Sequence, residues 1–196
     1  MEIKKKIIVI DLETTGFSPV KNEITEIGFV VLDGRTLENM GGFNTLVKIE
    51  GRVPGKITEL TGISNDMTEK FGLPKDMVGE YLRGALEDSV LVAHNASFDF
   101  SFLAEHFDID PKFYYDTLSL SRIVYPDEKK HNLKDVCARL GISLEGHHRA
   151  LNDAMATADV LKHMLLERNA WKSMNVLHGG GRGIRYKPTY TRGTFK

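Results

Sequence analysis

In the stretch "IIVIDLETTGF", four apolar residues run straight into two carboxylates, Asp11 and Glu13, one residue apart. The apolar run predicts a buried strand over 5–12, and residues i and i+2 of a strand point to the same face. Two carboxylates held that way repel each other and raise each other's pKa unless a cation lies between them. Hard divalent cations such as Mg²⁺ take oxygen ligands, usually one or two carboxylates together with substrate phosphate. Thr14, Thr15 and Gly16 follow, offering hydroxyls, backbone amides and a close backbone approach. On its own the pair reads first as a solvated strand end, since acids are common at strand exits.

Two further clusters repeat the theme. "LVAHNASFD" sets His94, Asn95 and Asp99 just after a second apolar run, and ligand sites in open α/β sheets gather where strands end. First-turn helix electrostatics is the plainer account of Asp99. "GHHRALNDAMATADVL" sets Asp153 at the margin of an apolar helical stripe, where a carboxylate is costly unless paired or metal-bound. His148 lies five residues earlier and would not share a helical face with Asp153, so it is expected on the loop or first turn. His147 competes with it, and spacing alone does not separate them.

These residues need a scaffold. "EITEIGFVVLD" alternates through Ile24, Ile27, Phe29 and Val31, and "ENMGGFNTLVKI" follows an Asp33-Gly34 turn. A three-stranded antiparallel meander is therefore expected. A short helix is expected near Pro54 and another over 75–87. After these come a strand in "SVLVAH", a helix from Ser97, a strand at 114–116 and a helix through Leu118 and Ile123. Asn132 and Gly141 read as the caps of "LKDVCARLG", and a last helix spans about 149–168. The order βββαβαβα predicts an α/β fold, a mixed sheet covered by helices.

The 196 residues, 41% apolar and 27% charged, are those of an ordinary globular domain. No apolar run is long enough to span a bilayer, and "MEIKKK" does not open a signal peptide. The single Cys137 excludes an intramolecular disulfide and fits a reducing, cytoplasmic setting. Arg182, Arg185, Lys187, Arg192 and Lys196 give residues 182–196 a local +5, so the rest of a chain of net charge −1 carries −6. The division expected is a catalytic domain over 1–177 and a basic, Gly-rich extension over 178–196. Interleaved with Tyr186, Tyr190 and Phe195, that extension suits single-strand binding, a tether to a partner protein, or a disordered solubilising end. "GGGRG" lacks the Gly-Lys-Ser/Thr of a P-loop.

Taken together, Asp11-x-Glu13 with Thr14-Thr15-Gly16, His94-Asn95-x-x-Phe98-Asp99 and His148-x4-Asp153 resemble the three motifs of the DEDDh 3′→5′ exonucleases. That family includes the proofreading epsilon subunit of bacterial replicative polymerases, and the resemblance covers about residues 5–168. Its tyrosine branch would carry Tyr four residues before the last Asp; Arg149 stands there, so the histidine branch fits and His148 is the matching residue. The resemblance implies a ribonuclease H-like fold, a mixed five-stranded sheet with helices on both faces. It implies two divalent cations, Mg²⁺ or Mn²⁺, held by Asp11, Glu13, Asp99 and Asp153, with His148 as general base. Two such ions can clamp the attacking and leaving oxygens of a phosphoryl displacement, and a histidine of pKa near 7 suits the proton transfer.

The resemblance further implies terminal-nucleotide contacts around Thr14, Thr15 and Gly16. Thr61 matches a position that often carries His. Phe17 or Leu60 could wedge against a base, although Leu60 could equally be the inner face of a short helix. His94 and Asn95 adjoin the substrate, or His94 merely braces the sheet edge. The expected activity is cleavage of single-stranded or frayed DNA ends to nucleoside 5′-monophosphates, with a proofreading polymerase subunit, joined to its partner through the extension, as one setting the resemblance implies. RNA-directed exonuclease, non-catalytic binding module and internal-cutting nuclease are the rival readings.

Overall fold

The computed structural model describes residues 6–111 and 114–166. The extension expected over 178–196, the domain limit at 177 and the end of the 149–168 helix lie outside the described residues. The chain runs β1 (Ile7–Thr14), β2 (Ile24–Leu32), β3 (Asn39–Leu46), α1 (Gly55–Thr61), α2 (Asn65–Phe71), α3 (Lys75–Leu86), β4 (Val90–Ala93), α4 (Ala96–Phe107), β5 (Tyr114–Asp116), α5 (Thr117–Val124), α6 (Leu133–Leu140) and α7 (Ala150–Leu166). One five-stranded sheet has the order β3-β2-β1-β4-β5. The first three strands form the antiparallel meander, and β4 and β5 add in parallel.

β1 lies at the centre, which is why its β-branched run shows no alternation: both faces are covered. Ile7 and Val9, with Val30 and Leu32 of β2, pack against Val160, Leu161, Met164 and Leu165 of α7 and Val136 and Cys137 of α6. Ile8, Ile10 and Leu12, with Ile27 and Phe29, pack on the opposite side against Val78 and Leu82 of α3 and Phe100, Phe102 and Leu103 of α4. Each such fully buried aliphatic contributes about 1.5–3 kcal/mol. β2 is thus buried on both faces, where the alternation had suggested one.

Local chemistry sets the element ends. Asp33 Oδ1 accepts from the backbone N–H of Arg35 and Thr36, both at 2.8 Å, turning β2 into β3. Asn132 caps α6 by accepting from Asp135 N at 3.0 Å, and Gly141 closes it at φ 68°. α2 was not anticipated; Ser64, whose side chain accepts from Met67 N at 3.3 Å, is the cap that signals it. Among the described residues no helix is long and apolar enough to cross a membrane.

Candidate active site

The strand parity that buries Ile7 and Val9 under α7 carries on to Asp11 and Glu13, so the core face of β1 turns acidic at its end. Opposite them in register stand Gly28 and Glu26 of β2. A Cβ at Gly28 would overlap the backbone of Ala150 and Leu151, so the first turn of α7 rests directly on β2. That close approach brings in Asp153, 4% exposed. Asp11, Glu13 and Asp153 each offer a carboxylate oxygen, all within 4.8 Å of one another.

Asp99 arrives from the other side. β4 pairs with β1 only as far as Val9, leaving the later part of that strand edge open. Asp99, in the first turn of α4, uses Oδ1 to accept the Leu12 N–H at 3.1 Å, between the two β1 acids. Asp116 fixes the start of α4: its Oδ1 accepts the N–H of Asn95 at 2.9 Å and of Ala96 at 3.4 Å.

The electrostatics are those of crowded, desolvated like charges. Burial, then Asp153 and Glu26, pushes Glu13 up to about 8, with Arg149 pulling the other way. Burial, then Asp99, Asp153, Glu13 and Glu26, holds Asp11 well above the usual carboxylate range. Asp99 is raised chiefly by burial, against backbone hydrogen bonds that favour its anion. An all-oxygen donor set of this kind, destabilised by its own charge, fits hard divalent cations.

Arg149, whose positive charge acts on Glu13, is engaged by a fifth carboxylate. Glu26, fully buried, takes Arg149 Nε at 3.1 Å on both oxygens and a terminal guanidinium nitrogen at 2.6 Å. It also accepts the Ala150 N–H and the Asn44 side chain, each at 3.0 Å. Sequence reasoning missed Glu26; the signal was an acid flanked by Ile24 and Ile27 in a strand that alternation alone could not show to be buried on both faces.

The histidines occupy a tight turn ahead of α7. Gly146 and His148 both have φ 66°, and the two histidine rings stack with centroids 3.7 Å apart. His147 Nδ1 lies 2.7 Å from Asp153 Oδ1, while His148 reaches Asp153 Oδ2 through its backbone N–H at 3.2 Å. Burial and the neighbouring His147 hold the His148 imidazole below its ordinary pKa.

The remaining expected residues divide. The Thr14 hydroxyl donates to the Gly16 carbonyl at 2.7 Å, and Thr15 exchanges hydrogen bonds with Glu23, so the loop after β1 is braced internally. Phe17 (89%) and Leu60 (51%) stand exposed, so Leu60 is not the inner face of α1. Thr61 is buried, donating to the Ile57 carbonyl at 2.9 Å and accepting from Ile63 N at 3.1 Å. His94 spends both ring nitrogens, on the Thr117 hydroxyl at 2.9 Å and the His131 carbonyl at 2.8 Å. Thr61 and His94 are thus both held by internal bonds, those of His94 matching its reading as a brace of the sheet edge. Asn95 is exposed in the left-handed region at φ 66°.

A mixed five-stranded sheet with acids converging on its central strand from two helices defines a nuclease-like α/β protein. The chain belongs to the RNase_T exonuclease family, whose model matches residues 8–161. It is 45% identical over 160 residues to the PolC-type DNA polymerase III of Clostridium perfringens, an alignment spanning 79% of this chain and 11% of that protein. It is 34% identical over 155 residues to the 3′-5′ exonuclease DinG of Staphylococcus haemolyticus, covering 76% of this chain and 17% of that one. In structure it resembles the nuclease domain of 3′hExo, a DEDDh family member bound to rAMP, with a TM-score of 0.71 and 20% identity over 84% of this chain and 93% of that domain.

Proposed function

We propose that the protein is a metal-dependent 3′→5′ exonuclease that removes nucleoside 5′-monophosphates from single-stranded or frayed DNA ends, in the manner of a polymerase proofreading module. The observation that carries this reading is the gathering of Asp11, Glu13 and Asp153 within 4.8 Å, with Asp99 bonded between the two β1 acids. A binding module has no need to assemble mutually repelling carboxylates.

Asp11, Glu13, Asp99 and Asp153 would hold two divalent cations, Mg²⁺ or Mn²⁺, which when bound supply charge stabilisation at the scissile phosphate. His148, on its turn above the acids, takes a proton from the attacking water. His147 orients the Asp153 carboxylate through its Nδ1 contact. The internally braced Thr14–Gly16 segment presents backbone to the terminal nucleotide, and exposed Phe17 and Leu60 offer apolar faces to the last bases. The basic residues of 182–196 would add phosphate contacts or a polymerase tether. Kinship with polymerase exonuclease regions supports DNA and a cytoplasmic, replication-associated role.

The test is a 5′-labelled single strand incubated with Mg²⁺ or Mn²⁺, DNA and RNA in parallel. A stepwise ladder from the 3′ end of DNA supports the proposal. A ladder on RNA alone redirects it to an exoribonuclease, mid-strand cuts to an internal nuclease, and binding without cleavage to a scaffold.

A further inference from the structure

Glu26 takes no part in the chemistry above, yet it is fully buried in the middle of the sheet, directly opposite Glu13. A carboxylate there is tolerated only if it is paired and its lone pairs are filled. Its partners come from elsewhere in the fold: the Arg149 fork and the Ala150 N–H from the start of α7, and the Asn44 amide from β3. Ala150 N is one of the first N–H groups of α7, which have no partner inside the helix. Glu26 thus caps α7 from across the sheet, at the helix end where a negative charge is favoured.

We propose that Glu26 and Arg149 form a positioning pair that sets the geometry of the metal-holding acids and of the histidine turn. Arg149 lies between His148 and Ala150, and its carbonyl accepts the Asp153 N–H at 3.0 Å one turn on. Fixing Arg149 therefore fixes, in one rigid piece, the turn that carries both histidines and the helical turn that carries Asp153. The guanidinium also keeps Glu26 occupied, so a fifth carboxylate beside Glu13 does not compete for cations. A lysine would supply the charge without the planar two-nitrogen fork. The inference rests on the nuclease reading for its catalytic consequence, but its effect on the acid cluster stands apart from that reading.

The experiment compares wild type with Arg149→Ala, Arg149→Lys and Glu26→Gln in the full chain. The readouts are thermal midpoint, Mn²⁺ affinity by calorimetry, and kcat and KM on single-stranded DNA. Arg149→Ala should weaken Mn²⁺ binding about tenfold and lower kcat about 10- to 100-fold, with KM within about threefold of wild type. Arg149→Lys should regain thermal stability without regaining kcat. A lower midpoint with wild-type kcat and Mn²⁺ affinity, or full recovery of kcat by lysine, would overturn the proposal. If Arg149→Ala does not fold, Arg149→Lys and Glu26→Gln decide by the same two readouts. If wild type binds Mn²⁺ but cleaves nothing, the nuclease reading fails, while weaker Mn²⁺ binding in the variants still upholds the pair.

Discussion

His147 Nδ1 stands 2.7 Å from Asp153 Oδ1, whereas its neighbour His148, its ring stacked on that of His147, hydrogen-bonds the same carboxylate through its backbone N–H. Two adjacent histidines therefore have different tasks open to them. His147 can orient a ligand, and His148 can move a proton. His148→Ala is expected to lower kcat by about 10²–10⁴ with little change in Mn²⁺ affinity. His147→Ala should act mainly on Mn²⁺ affinity, by about tenfold. Steady-state kinetics beside calorimetry checks both, and the reverse pattern makes His147 the base.

The acids should show a conflict between activity and stability. Asp11 is raised by burial and by four neighbouring carboxylates, so its charge opposes the metal-free fold. Asp11→Asn should abolish cleavage yet stabilise the metal-free protein by about 1 kcal/mol, a rise in Tm of about 2–4 °C. The same variant should gain less Tm from added Mg²⁺ than wild type gains. A drop in metal-free Tm would show that the cluster is not under electrostatic stress.

That stress has a pH signature. Glu13 moves from 4.5 to about 8 on folding, and Asp11 and Asp99 move the same way, so the folded chain keeps protons that the unfolded chain releases. Their contribution is fully present below the unfolded pKa and is lost as pH rises through the folded one. In EDTA the Tm should therefore fall between about pH 5 and 8.5, while the increment from Mg²⁺ grows, since ligands must be ionised. Glu26 has the opposite sign. Burial pushes it up, but Arg149, Ala150 and Asn44 together hold it low, so its contribution is lost as pH falls below the carboxylate range. Scanning fluorimetry across pH with and without Mg²⁺ resolves both limbs; a metal-free Tm that climbs towards pH 8.5 contradicts the first.

What the sequence made legible follows from how local each signal is. Asp11 and Glu13 were readable because period-two parity needs only the strand itself, and Asn132 and Gly141 because caps act within a turn. Glu26 was not, because its burial depends on α7, reached only 124 residues later. Spacing did not separate His147 from His148, because the turn that carries them has positive φ at Gly146 and His148 and brings a ring nitrogen of each within 4.8 Å of an Asp153 oxygen. The bonding partners of Thr61 and His94, at Ile57, Ile63, Thr117 and His131, are set by packing that residue type alone does not reveal.

Phe17 and Leu60 contribute little to the core, being 89% and 51% exposed. Surface truncation should leave stability within about 0.5 kcal/mol. If they stack on the terminal bases, each loses about 1–3 kcal/mol of substrate binding. Phe17→Ala and Leu60→Ala should therefore raise KM roughly fivefold or more, with kcat and Tm unchanged. Unaltered KM in both variants would remove them from the substrate path.

Gly28 tests how the fold makes the site. It faces Asp11 across the β1–β2 ladder, and any side chain there would collide with the backbone of Ala150 and Leu151 rather than with a movable side-chain tip. Gly28→Ala should thus lift the start of α7 and cost about 1–3 kcal/mol. Because Asp153 rides on that turn, Mn²⁺ affinity should fall in the same variant. Gly84→Ala is the control: it lies on the exposed side of α3 with open space around it, so the added methyl should stabilise the helix by about 0.5–1 kcal/mol. A Gly28→Ala protein that loses stability but binds Mn²⁺ as tightly as wild type would mean that Asp153 reaches the β1 acids without the close contact of α7 on β2.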